Sequence, residues 1–193
     1  FVPTMGALHA GHASLIKKAR EYSDTVVVSI FINPLQFENK DDLAKYPRTP
    51  ESDIELASQA GATHLWLPTV DEIYPGEVQK ISAGALGDIY EGVKRPGHFD
   101  GVLTVVNRLF ELVKPQWAIF GEKDFQQLTL IKIMKSDVEI IGAPTIRDTD
   151  GLALSSRNVR LSDPKAALVI YRALLAASKE KSIDSAREVM RGV

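Results

Sequence analysis

Residues 25–32 read Thr-Val-Val-Val-Ser-Ile-Phe-Ile and stop at Asn33-Pro34. A β-branched apolar run of that length, closed by a breaker, suits a parallel strand buried on both faces. Such a strand needs a helical layer on each side. The rest of the chain alternates to match. Phe1-Val2 reads as the tail of a strand, and residues 62–67, 117–120 and 138–141 read as three more. Helical patterns lie between them, over 12–22, 52–60, 100–113 and 125–134. The third is the clearest. Its Val102, Val105, Val106, Leu109, Phe110 and Val113 fall at helical spacing, and Pro115 ends it. The expected fold is α/β: a Rossmann-like, doubly wound parallel sheet with helices on both faces.

Beyond residue 150 the chain changes character. Residues 151–161 are polar and loop-like, and helical patterns follow over 166–181 and 183–190. Ala167, Ile170, Tyr171 and Leu174 form the expected apolar face of the first. The boundary is placed within 148–160, giving a domain over 1–150. Residues 151–193 are too few for a comfortable independent core and read as the start of a smaller C-terminal domain. A chain opening on Phe1-Val2-Pro3 without Met reads as an interior fragment.

Composition removes several function classes. No cysteine is present, so disulfides, thiolate metal sites and cysteine nucleophiles are excluded. With 23 basic and 25 acidic residues the net charge is −2, which argues against nonspecific nucleic-acid binding. No apolar run approaches the ~20 residues of a membrane span, and no signal peptide is visible. Metal-ligand spacing, a nucleophile elbow and a Walker-type loop are also missing.

Four segments can carry chemistry. Pro3-Thr4-Met5-Gly6-Ala7-Leu8-His9-Ala10-Gly11-His12 leaves a strand and enters a helix. In an open α/β sheet, ligands sit at the carboxyl ends of strands beside helix N-termini, where unpaired N–H groups attract phosphate. His9 and His12 add two donors. Gly121-Glu122-Lys123-Asp124 follows a strand and precedes a helix; Lys123 suits a phosphate, and Asp124 either accepts from a ribose hydroxyl or caps the helix. Leu154-Ser155-Ser156-Arg157-Asn158 follows Gly151 and reads either as a polyphosphate clamp or as a solvated turn. Arg95-Pro96-Gly97-His98-Phe99 reads either as an anion site at a helix entrance or as a rigid turn. Asn33 and Gln36 leave the central strand where a carboxylate- or hydroxyl-bearing substrate would meet them. In Tyr46-Pro47-Arg48-Thr49-Pro50 the expectation is that Thr49 caps a helix. A near-neutral chain thus holds a local cationic group of His9, His12, Arg95, His98, Lys123 and Arg157.

Taken with Phe31-x-Asn33-Pro34-x-Gln36-Phe37, Phe120 to Leu128 and Asp150 to Asn158, these blocks closely resemble the pantothenate synthetase (pantoate–β-alanine ligase) family, in family order. His9-x-Gly11-His12 is similar to the HIGH signature of the wider nucleotidyltransferase superfamily, and Ser155-Ser156-Arg157 stands in the place of its mobile loop. The resemblance implies a two-step, ATP-dependent condensation of pantoate with β-alanine through pantoyl adenylate, releasing pyrophosphate and AMP. His9, His12, Lys123, Ser155, Ser156 and Arg157 would stabilise the phosphoryl charge. Pro3, Thr4, Met5, Gly6, Gly11, Gly121, Asp124 and Leu154 would complete the ATP site. Asn33, Gln36 and Gln127 would hold pantoate, with Tyr46, Arg95 and His98 beside that pocket. Magnesium would be bound through the ATP phosphates, with Asp53 nearby. The resemblance further implies a cytoplasmic homodimer. Leu154 departs from the methionine common there, and the connections at 128–138 and 162–171 are shorter than usual. Competing readings are a nucleotidyltransferase acting on a phosphate acceptor, which would want more cationic groups, and a nucleotide-binding relic without turnover.

Overall fold

The structure is a computed structural model and describes residues 1–37 and 39–193. By internal packing the chain divides into two compact units, Phe1–Pro144 and Thr145–Val193.

In the first unit the strands are β1 (Val2–Thr4), β2 (Val27–Ile30), β3 (His64–Trp66), β4 (Trp117–Gly121) and β5 (Glu139–Ala143). They form two parallel ladders, β1-β2-β3 and β4-β5. Two backbone bonds join the ladders: Phe1 N donates to the Trp117 carbonyl at 2.8 Å, and Ile119 N–H donates to the Phe1 carbonyl at 2.9 Å. The spatial order is therefore β3-β2-β1-β4-β5, and the winding reverses between β1 and β4. That reversal is the switch point at which open α/β sheets bind ligands. Regular pairing of β2 stops at Ile30, short of the expected 32, although Phe31 N–H still reaches the Thr4 carbonyl at 2.9 Å.

The helices of this unit are α1 (Ala10–Arg20), α2 (Lys40–Ala44), α3 (Pro50–Ala60), α4 (Val70–Ile73), α5 (Gly84–Gly87), α6 (Glu91–Lys94), α7 (His98–Val113) and α8 (Phe125–Ile133). The four long ones match the expected helices. Helices α2, α4, α5 and α6 were not expected, because four or five residues are too short to display a 3.6-residue period. Alternate strand residues enter opposite cores, as a strand's two-residue period requires. Phe1, Ala118 and Phe120 pack with Phe99, Val102, Val106 and Phe110 of α7 and with Leu128 and Ile131 of α8. Val2, Val28 and Ile119 pack with Ile16 and Ala19 of α1 and with Ala57 and Ala60 of α3. The sheet is thus covered on both faces, as expected.

The second unit contains an antiparallel bridge between Arg147 and Ala153, α9 (Pro164–Ala177) and α10 (Ile183–Arg191). The bridge links Arg147 to Ala153 of the polar loop, and both lie in this unit. On α9 the buried residues are Leu168 and Ala173, whereas Ile170 is 65% and Leu174 46% exposed. Only Ala167 and Tyr171 of the expected apolar face are half-buried. A unit this small cannot cover a helix all round.

Candidate active site

At the end of β1 the chain turns through Met5–Leu8 into α1. Gly6 has φ +83° and Ala7 φ +49°. A Cβ at Gly6 would stand 3.0 Å from both Asp53 Oδ2 and Ile30 Cγ2, so the position needs glycine for space as well as for φ. The turn is held by Asp53, only 2% exposed on α3. Its carboxylate accepts from Ala7 N–H at 3.0 Å, Leu8 N–H at 2.7 Å and the Thr49 hydroxyl at 3.0 Å. One expectation changes here. Thr49 stands at the N-cap position of α3 but makes no side-chain cap, because its hydroxyl serves Asp53. Asp53, expected beside magnesium, accepts from the turn through both oxygens.

His9 and His12 cap α1 reciprocally. Gly11 N–H donates to His9 Nδ1 at 3.1 Å, and His9 N–H donates to His12 Nδ1 at 3.2 Å. A ring nitrogen that accepts from an amide carries no proton, so each neutral ring has its proton on Nε2 and can donate from there. The ring centroids lie 4.1 Å apart. Burial, followed by the charges of His9 and Lys123, pushes His12 down to about 3. Burial and then Lys123 also lower His9. Both imidazoles are therefore neutral donors at the positive end of a helix with no acid in its first turn. β1 and β4 are neighbours in the sheet, and the charge of Lys123 acts on both His9 and His12.

Lys123 follows Gly121 at the end of β4, and its ammonium lies 3.1 Å from Asp124 Oδ1. Asp124 occupies the N-cap position of α8 without a side-chain cap bond. Its carboxylate pairs with Lys123, and the capping alternative falls away.

The turn after β2 forms a second, buried group. Asn33 is 1% exposed. Its Oδ1 accepts from Leu35 N–H at 3.2 Å and from Tyr74 O–H at 2.8 Å. Its Nδ2 donates to Gln36 Oε1 at 3.1 Å and to the Gly101 carbonyl at 3.0 Å. An amide has two acceptor and two donor positions, and all four are used. All the hydrogen-bonding capacity of the Asn33 amide is thus met within the protein. Gln36 differs. Its Oε1 is taken by Asn33, but among the described residues Nε2 meets only the Met5 thioether at 3.0 Å, a weak acceptor. His98 Nδ1–H donates to the Gln36 carbonyl at 2.8 Å, so its side chain holds the turn's backbone. Gly101 lets α7 approach: a Cβ there would lie 2.2 Å from the Leu35 carbonyl oxygen. Tyr46 is buried with its ring edge-on to Phe37.

Of the remaining expected residues, Arg95 pairs with Glu91 at 2.7 Å. Gln127 is half-buried on the first turn of α8. Ser155, Ser156 and Arg157 belong to the second unit. There Ser155 Oγ accepts from Arg157 N–H at 3.2 Å, and Asn158 Nδ2 ties across to the Ala153 carbonyl at 3.0 Å. Sequence reasoning missed Gln126, whose Nε2 donates to the Leu86 and Ile89 carbonyls at 2.8 Å, pinning the segment before Arg95 onto α8. It also missed Tyr74. A cavity of about 790 Å³ bounded by Tyr74, Ile81, Thr104 and Arg108 includes none of the expected site residues. Among the described residues no cluster of three His, Cys, Asp or Glu could hold a metal ion, and no helix is long and apolar enough to cross a membrane.

The family model for pantoate-beta-alanine ligase matches residues 1–192. The chain belongs to the pantoate–β-alanine ligase family. It is 51% identical to pantothenate synthetase of Nocardioides sp. over 98% of this chain and 63% of that protein. To the Bacteroides fragilis pantothenate synthetase it is 54% identical over 83% of this chain and 59% of the relative. The chain thus spans about three-fifths of these family members' length. Among solved structures of the pantoate–β-alanine ligase family, the Thermus thermophilus enzyme superposes with TM-score 0.91 at 48% identity, over 100% of this chain and 76% of its own. The Francisella tularensis ligase, solved with beta-gamma ATP and beta-alanine, gives 0.83 at 40%, over the same shares of the two chains.

Proposed function

We propose that this protein takes part in an ATP-dependent ligation of pantoate to β-alanine. A pantoate carboxylate oxygen attacks the α-phosphorus of ATP and pyrophosphate leaves, giving pantoyl adenylate. The β-alanine amine then attacks the acyl carbon and AMP leaves. The observation that carries the reading is the pairing of two unlike groups at the carboxyl ends of neighbouring strands. Neutral His9 and His12 with cationic Lys123 suit phosphoryl charge, and the underused Nε2 of Gln36 suits a carboxylate or hydroxyl oxygen.

A carboxylate is already a nucleophile, so the first step needs alignment and charge stabilisation rather than a base. His9, His12 and Lys123 supply donors, and the Gly6 turn admits the nucleotide to the backbone. Pro3, Thr4, Met5, Gly11, Gly121 and Asp124 are proposed on the nucleotide side, and Gln127 on the pantoate side. Ser155, Ser156 and Arg157, with Leu154, are proposed as further polyphosphate contacts. Magnesium is proposed to be held mainly through the ATP phosphates, with Asp53 nearby. A cytoplasmic homodimer is part of the same reading.

The test is to incubate the purified protein with ATP and magnesium, adding pantoate and β-alanine separately and together. AMP and pyrophosphate formation that depends on pantoate supports the proposal. ATP binding without any AMP would instead mark a nucleotide-binding relic. Nucleotidyl transfer to a phosphate ester but not to pantoate would mark a phosphate-acceptor transferase.

A further inference from the structure

Gln36 can present either end of its amide to a ligand, and the two ends read opposite chemistry. An N–H recognises a carboxylate or hydroxyl oxygen, whereas a carbonyl recognises a donor. What decides between them lies behind Gln36. Leu35 N–H can only donate and the Gly101 carbonyl can only accept, so they orient the Asn33 amide with Oδ1 toward Leu35 and Nδ2 toward Gly101. The second Nδ2 proton then goes to Gln36 Oε1 at 3.1 Å, which turns Nε2 outward from Asn33. The remaining lone pair on Asn33 Oδ1 is filled by the phenol of Tyr74 at 2.8 Å, from 41 residues along the chain.

We propose that Tyr74 is a positioning residue: through Asn33 it holds the Gln36 amide with its N–H end toward the substrate, so that the pocket selects an oxygen acceptor. The Tyr74 ring is fixed for the task, edge-on to Phe31 with centroids 6.1 Å apart. Its backbone N–H is tied to the Val70 carbonyl at 2.7 Å. Burial raises the phenol far above its ordinary range, so the oxygen stays protonated and donates. A buried lone pair left without its donor is costly, and the chain of amides transmits that loss to Gln36. The inference rests on the pantoate reading of Gln36 and adds the residue that sets its polarity.

Three variants separate positioning from packing. Tyr74→Phe keeps the ring and loses the hydroxyl. It is expected to raise the KM for pantoate about three- to tenfold while the KM for ATP stays within about twofold. Tyr74→Leu should add a fall in Tm. Asn33→Asp cannot donate to Gln36 Oε1, so the Gln36 amide reverses, and the KM for pantoate should rise more than about tenfold. Wild-type pantoate KM in Tyr74→Phe, or equal rises for ATP and pantoate, overturns the proposal. A second readout needs no substrate. Exchange of the Asn33 side-chain amide protons, followed by NMR, should accelerate at least roughly tenfold in Tyr74→Phe, and an unchanged rate overturns the relay. Should the wild-type protein fail to turn over pantoate, the functional reading fails, and the exchange rate alone decides the relay.

Discussion

The two groups at the ends of the strands solve recognition in opposite ways. In the group at β1 and β4, backbone caps occupy the Nδ1 atoms of His9 and His12 and place their protons on Nε2, while the Lys123 ammonium pairs with Asp124 and keeps further N–H donors. The group after β2 is buried: Asn33 is saturated, His98 serves a backbone carbonyl, and among the described residues Gln36 Nε2 meets a weak thioether acceptor. In the proposed reaction a charged ligand would be met by several donors around one turn. A neutral or singly charged one would be met by a single amide whose direction is set from behind. Substitutions in the first group should therefore act on rate, and those in the second on stability and selectivity.

That difference can be broken most severely at Lys123. Lys123→Ala is expected to lower adenylate formation roughly 10²–10³-fold, with the circular-dichroism spectrum unchanged. Near-normal turnover would remove Lys123 from the chemistry. Next comes Gly101→Ala, which must push α7 off the Leu35 carbonyl, 2.2 Å from the new methyl. It should cost about 2 kcal/mol in denaturant unfolding, and full stability would show that the turn yields. Gln36→Ala should raise the KM for pantoate about tenfold and that for ATP far less, in line with one lost hydrogen bond to a charged group. Equal effects would merge the two groups. The smallest effect is on pH. His12 titrates at about 3 when folded, against an ordinary 6.5. The unfolded chain binds a proton across that window while the native chain does not, so stability is fully present above 6.5 and declines as pH falls toward 3. Over the first pH unit below the ordinary histidine value the loss is about 1 kcal/mol, and His12→Gln should flatten it. A slope that persists in the variant would assign it to another group.

The layout of the sheet was legible because a β-branched run and the Val-rich helical pattern are each local and periodic. His9-x-Gly11-His12 was legible for a related reason, since polar residues and glycines at a strand-to-helix junction stand out against an apolar pattern. What escaped is non-local. Asn33 looks like a ligand-facing amide until Tyr74 and Gly101 arrive from 41 and 68 residues away to saturate it. Thr49 and Asp53 have the composition of an ordinary helix start, and only the tertiary approach of the Gly6 turn diverts them. Asp124 has the right type and place for a cap, but the neighbouring ammonium competes for its carboxylate.

The reciprocal histidine cap also has a consequence for proton bookkeeping. Charging either ring requires protonating Nδ1, which forfeits a backbone bond at a helix start. The cap therefore opposes proton uptake by the pair when an anion binds, and its share in any buffer dependence of the heat of nucleotide binding should be small. For the same reason the pair is unsuited to take the proton released when β-alanine's ammonium becomes an amine. In the proposed reaction that proton goes to bulk solvent or to a group outside the cap.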